Sequence, residues 1–453
     1  VRDAPAPSSL RGEVLRLAWP VVVQNLLHTL MFYVDTAMIG GLGPEALAAM
    51  GVVGPIAHTI TAVLTALSVG AVAAVARAWG EGDRAAQERD AAAALALGLL
   101  VGLPLTAAGI LVLPAAARLL AVPGGAGVEA MARDYLFWEA ASLVFYCVYM
   151  AAVGILRACG RTQIPLWTTL GANLVNVALN AIFIFGHLGA PRMGVAGAAL
   201  GTAISVALEA TVCAGILFTR ASPVRLRPAS FRKVDGGAMA RLARVTAPAA
   251  AEPVILQSGF LVYTKAITLL GTLPLAAHRA ALTVESLTFM PGYGFAVAGS
   301  ALVGRFLGER RPERAQAALR ESARMGVLLM GAIGLLFLAI PEALVALFLR
   351  GPDVEEARRL AAGALRIAAF EQPFMGLSMA LAGGLRGAGD TRSPVAVGFL
   401  GVWLVRVPLA WTLAFPVGWG LYGIWATMIV DWGVRAAAFG ALWRRGSWKA
   451  IKL

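Results

Sequence analysis

Apolar runs of roughly 20 to 28 residues alternate with short charged segments along the whole chain. Twelve such runs predict twelve spanning helices, with approximate cores at 14–40, 47–76, 91–117, 132–157, 163–186, 194–219, 244–270, 275–304, 323–349, 360–385, 394–415 and 421–443. Long runs such as Ala91–Leu103 lack the alternation of apolar and polar side chains that a membrane barrel requires. The expected class is an all-α polytopic membrane protein. Within the first apolar stretch, Trp19–Leu47, lies an acid, Asp35. An ionisable group inside a span is expensive and marks a functional site. Gln24, His28, Met31 and Asp35 follow at helical spacing, so one face of the first helix is polar.

A repeat organises the rest. Leu47-Ala48-Ala49 returns as Leu275-Ala276-Ala277, Gly80-Glu81 as Gly308-Glu309, and Leu156-Arg157, Gly160, Thr162, Pro165 as Leu385-Arg386, Gly389, Thr391, Pro394. Pro20 and Gln24 align with Pro248 and Glu252. The shift is constant to within a residue, so the chain is expected to comprise an N-terminal lobe over 1–220, a cytoplasmic linker over 221–240 and a C-terminal lobe over 241–453. Six helices per lobe make the repeat parallel, and two such lobes suit alternating access by rocking.

The composition agrees with this class: 59% of the 453 residues are hydrophobic and 14% charged. The net charge of +13 sits mostly in alternate loops, which the positive-inside rule assigns to the cytoplasm together with both termini. Basic segments of this kind orient the protein and attract anionic lipids, so no nucleic-acid partner is expected. The segment VRDAPAPSSLRGE has no signal-peptide pattern, and no cleavage is expected. Cys147, Cys159 and Cys213 lack metal or redox spacing, and the four histidines show no metal spacing either. No GxxxxGK[ST], HExxH or GxSxG run occurs, so neither ATP hydrolysis nor a membrane-embedded enzyme is indicated.

With these residues in view, the chain resembles the multidrug and toxic compound extrusion (MATE) family. The resemblance is carried by P-x3-Q before VDTAMIGGLGPEALAAMG, then LRACGRTQIP, NVALNAIFIFG and GVAGAALGT. In the second half it is carried by PAAAE, LGTLPLAAH, VESLTFMPGYGFAVAGSALVGRFLG, LRGAGDTRSP, WLVRVPLA and GLYGIWATMIVDW. It implies a secondary transporter that exports amphipathic, often cationic compounds against inward H⁺ or Na⁺. It also implies a monomer in the cytoplasmic (inner) membrane of a prokaryote, with lipids as its surroundings.

The resemblance further implies a coupling site of Asp35 with Asn176, Asn180 and Thr202. A carboxylate, two amide carbonyls and a hydroxyl suit a hard cation, whereas the same groups also suit a protonated Asp35. Asn180 stands where the family has an acid, which removes one charge and favours H⁺ over Na⁺. No cofactor is expected beyond a possible Na⁺ as coupling ion. Substrate-cavity candidates are Gln24, His28, Glu252, Glu285 and Glu371. Asp431, Arg435 and Arg406 are expected to form a buried ion pair, Lys265 to snorkel, and Glu139 and Glu209 carry no assigned role. Arg406 falls opposite the first-lobe site in the repeat, where its charge is expected to repel a cation. A lipid-linked saccharide flippase of the same superfamily is the alternative. Its basic cavity contrasts with the intramembrane acids here.

Overall fold

The computed structural model describes residues 10–120, 125–349 and 354–451. Among the described residues there is no strand. The first half runs α1 (Leu10–Gly40), α2 (Pro44–Glu81), α3 (Arg84–Leu120), α4 (Ala126–Ala158), α5 (Gln163–Phe185) and α6 (Val195–Phe218). After the short α7 (Pro228–Phe231) come α8 (Gly236–Leu269), α9 (Thr272–Ser286), α10 (Phe289–Gly308), α11 (Pro312–Ala339) and the short α12 (Pro341–Ala346). The chain continues through α13 (Glu355–Ala388), α14 (Arg392–Phe399), a π-helical stretch (Leu400–Arg406), α15 (Val407–Ala414) and α16 (Gly420–Arg445).

All twelve predicted spans are present, most of them longer than the apolar cores because charged turns extend them. Three are interrupted, one of them the run 323–349, which divides at Ile340, just before Pro341, into α11 and the short α12. The span Thr272–Gly308 breaks at Leu287–Thr288, where the ring of Pro291 excludes the carbonyl four residues earlier. The span Arg392–Ala414 passes through the π-helical stretch just before Pro408, whose ring excludes the carbonyl of Leu404. Ten spans are long and apolar enough to cross a membrane on composition alone. The other two, α13 and α16, have spanning length but carry Glu371 and Arg386, and Asp431 and Arg435.

The chain divides into two compact units, one of Val23–Ala250 and one of the residues up to Val22 with Ala251–Leu453. The divisions fall inside α1 and α8, not at the ends of the expected linker. The start of α1 therefore packs in the second unit: Val14, Leu17 and Ala18 share a core with Phe295, Leu302, Phe306 and Leu319. The start of α8 belongs to the first unit, where Ala238 and Leu242 join Leu67, Ala71, Tyr149 and Leu156. The expected linker is itself packed on the first unit. Val224, Leu226 and Ser230 are buried, and Lys233 pairs with Glu88 at 3.4 Å. At its end Asp235 accepts the Ala238 N–H at 2.6 Å and caps α8, which holds its carboxyl below the usual aspartate range.

The repeat shows in how helices cross. A Cβ on Gly154 of α4 would strike Ser68 and Ala71 of α2, and one on Gly383 of α13 would strike the Ala296 backbone of α10. These two crossings occupy matching positions in the two halves. Only glycine lets the backbones approach so closely, and dispersion contacts along such seams replace the hydrophobic drive that lipid does not supply.

Candidate functional site

Asp35 lies near the C-terminal end of α1, buried in the first unit against α5 and α6. Asn180 Nδ2 donates to Asp35 Oδ1 at 2.6 Å, and Thr202 Oγ donates to Oδ2 at 3.3 Å. Asn180 Nδ2 also reaches Asn176 Oδ1 at 3.0 Å. With the Asn176 amide turned over, its nitrogen donates to Asp35 Oδ1 at 2.9 Å and its oxygen accepts from the Thr202 N–H at 3.3 Å, with the single Thr202 hydroxyl proton going either to Asn176 or to Asp35. Asn176 and Asn180 are fully buried, four apart on α5, so both amides face α1. Gly201 makes room for them, because a Cβ there would overlap Asn180 Oδ1. The four residues expected to form the coupling site thus meet at one place.

The arrangement has a chemical bias. Both carboxylate oxygens of Asp35 accept hydrogen bonds, and no basic side chain is bonded to either. Asn180 Oδ1 is buried without a partner. Such a donor-lined carboxylate is stable bare, and it can take a proton by reorienting amides and a hydroxyl. A Na⁺ ion would need those amide oxygens turned inward, and one carboxylate to balance it. Among the described residues no group of three or more His, Cys, Asp and Glu is placed to hold a metal.

Gln24 and His28, about three and two turns nearer the start of α1, meet a different set of partners. Gln24 Nε2 donates to the Tyr149 hydroxyl at 2.8 Å, Arg157 Nη2 donates to Gln24 Oε1 at 3.0 Å, and His28 Nε2 lies 3.3 Å from the same Tyr149 hydroxyl. Glu209 of α6 is buried beside this group, next to Thr169 and Tyr149. Nothing in the sequence marks Tyr149 or Thr169 for this group, and Arg157 shows there only as part of the repeated Leu-Arg pair.

In the second unit, Glu252 is held by Arg386, whose Nη2 donates to both carboxylate oxygens at 2.6 and 2.7 Å. Arg386 is the second half of that same repeated pair. Glu285 and Glu371 are buried side by side, and both oxygens of Glu371 lack a hydrogen-bond partner. Asp431 lies between two arginines, with Arg406 Nε at 2.7 Å from Oδ2 and Arg435 Nε at 2.6 Å from Oδ1. The expected buried ion pair is therefore a triad. The π-helical turn ends on Arg406, and Gly401 leaves space where a Cβ would collide with Asp431 and Arg435.

Arg406 stands at the repeat counterpart of the first-lobe site as a member of this triad. Its charge is taken up by Asp431, while Tyr263 and Ala410, the repeat counterparts of Asp35 and Asn180, are fully buried. With every group ionised, two arginines face three carboxylates, so one proton shared by Glu285 and Glu371 would neutralise the cluster.

Comparison with known proteins follows the same lines. The MatE family profile matches residues 20–182 and again 248–412, in step with the repeat. A probable multidrug resistance protein NorM of Pseudomonas aeruginosa is 33% identical over 447 residues, which cover 97% of this chain and 90% of that protein. One from Thermotoga maritima is 29% identical over 442 residues, covering 97% and 93%. The fold matches a MATE protein crystallised in complex with MaL6, with a TM-score of 0.90 and 22% identity over 98% of this chain and 97% of that one. The doubled match and the helical spans agree. The chain belongs to the MatE family of membrane transporters, and it is not an enzyme.

Proposed function

We propose that this chain exports amphipathic, cationic small molecules in exchange for protons, with Asp35 as the coupling group. The setting of Asp35 carries the reading. It is a buried carboxylate gripped by amide and hydroxyl donors, with no basic partner bonded to it. A proton on Asp35 changes both its charge and its hydrogen-bond pattern, and so gives the two access states different stabilities. Only such differential binding lets a gradient drive transport. The NorM names of the relatives support drug-like substrates.

The test is reconstitution into proteoliposomes, with ethidium as probe and the pH and Na⁺ gradients imposed separately. The pH gradient alone should drive ethidium movement, and a protonophore should stop it with ATP present. Movement driven only by Na⁺ would replace the proton in this reading. A second reading places coupling at the Glu285–Glu371 pair, because one shared proton would balance the charges around it.

Orientation is a further part of the proposal: the loops after α2, α4, α6, α10 and α13 face the cytoplasm of a prokaryote, and so do both termini. Residues 1–9 and 452–453 lie outside the described residues. Ser230 is buried and unsuitable for labelling, whereas Ala229 and Ala126 are exposed. In a cysteine-free background, a cysteine at 126 should react with an impermeant thiol reagent added to intact cells. One at 229 should react only after permeabilisation. Labelling of position 229 from outside would reverse the orientation.

A further inference from the structure

The three helices that build the Asp35 cluster each carry a second polar group seven residues away, on the same side of the first. On α1 it is His28 below Asp35, on α5 Thr169 below Asn176, and on α6 Glu209 below Thr202. Seven residues are about two turns, roughly 10 Å along each axis. Because α6 runs antiparallel to α1 and α5, all three offsets point toward the side that the loop charges assign to the cytoplasm. The polar face of the coupling site is thus built twice.

The lower copy contains an unexplained acid. Glu209 is 3% exposed, and its Oε1 has no hydrogen-bond partner. His28 faces it from α1 and Tyr149 from α4, α5 contributes the Thr169 hydroxyl, and Cys213 follows one turn along α6. Arg157 of α4 is the nearby fixed cation, but its guanidinium donates to Gln24 Oε1. The Tyr149 hydroxyl joins the members together, 3.1 Å from Thr169, 2.8 Å from Gln24 Nε2 and 3.3 Å from His28. A structural acid serving Arg157 would bond to it. Glu209 does not.

We propose that Glu209 is a second proton-binding carboxyl, a station between Asp35 and the cytoplasm, with His28 and Tyr149 flanking it. This rests on the reading that Asp35 carries the coupling proton. The proton leaves the Asp35 carboxyl and ends on Glu209, and the negative charge passes from Glu209 to Asp35. A gap of about 10 Å is too long for one transfer, so water bridges it. From Glu209 the proton leaves past Gln24, which together with Arg157 closes the lower end.

The experiment uses the purified full chain and Glu209→Gln. Infrared difference spectra between mildly acid and mildly alkaline pH should contain a protonated-carboxyl band that Glu209→Gln removes. His28→Gln, which deletes the imidazole facing that carboxyl, should move the midpoint of the band. In proteoliposomes, Glu209→Gln should slow pH-driven ethidium export by about tenfold or more, while ethidium binding to the detergent-solubilised protein changes less than about twofold. Glu209→Asp should restore part of the export. An infrared difference unaltered by Glu209→Gln overturns the proposal, and so does unchanged export. Asp35→Asn run in parallel separates the two ideas. If it is inactive while Glu209→Gln is normal, only the Glu209 station falls; if Asp35→Asn exports normally, the Asp35 reading and the station fall together.

Discussion

Asp35→Asn, reconstituted at matched protein levels, should move ethidium under a pH gradient no faster than protein-free vesicles do. The expected loss is about 10²-fold or more, because an amide cannot exchange the proton that biases the access equilibrium, and a bias of a few kcal/mol corresponds to that range. The substitution is nearly isosteric and keeps an acceptor for Asn180 or Thr202, so folding and insertion should survive. Asn180→Ala removes the donor at 2.6 Å and Asn176→Ala its neighbour, and both should weaken export without abolishing it. Tyr263→Phe should have little effect, since the Tyr263 hydroxyl has no hydrogen-bond partner to lose. Full transport by Asp35→Asn would pass the coupling to Glu285 and Glu371.

Asp431→Ala should unfold the protein more readily than any change at the Asp35 cluster. The aspartate is fully buried and holds Arg406 and Arg435 at 2.7 and 2.6 Å. Its removal strands two guanidinium groups inside the helix bundle. Breaking one buried pair costs about 3–5 kcal/mol, and here one carboxylate serves two cations. Thermal unfolding of the purified protein in detergent should show a large fall in Tm, or no monodisperse protein at all. Asp431→Ala combined with Arg435→Met should recover part of the loss, since one stranded charge is gone. A Tm equal to that of the unaltered protein would mean that water or lipid headgroups already solvate the arginines.

The sequence made some of this legible and hid the rest for physical reasons. Spans announce themselves through composition, because lipid accepts no unpaired backbone and so demands long apolar helices. Asp35 stood out because an acid inside such a run is rare, and Asp431 with Arg435 because four residues on a helix bring side chains together. What stayed hidden were partners brought together by tertiary packing alone. Gln24 meets Arg157 across 133 positions, and Glu252 meets Arg386 across 134. Glu252 therefore looked free in sequence and is paired in the structure. Glu209 was visible as an acid in a span, but its meaning depends on Tyr149 and His28, which approach from two other helices. The π-helical turn left one trace, Pro408, which does not say how the chain resolves the lost hydrogen bond.

The core that joins Val14, Leu17 and Ala18 to Phe306 also contains Trp448, which is fully buried, stacks on Trp443 at 3.7 Å and donates to its carbonyl. One of its walls is made early in synthesis and another almost the whole described chain later. The unit of Val23–Ala250 is contiguous, so all its parts emerge from the ribosome before any of Ala251–Leu453 does. The other unit must wait, with the first turns of α1 already in place and their apolar side chains uncovered. A chain cut just before Trp448 should therefore keep the Val23–Ala250 unit whole and leave the core around Val14, Leu17 and Phe306 without one of its walls.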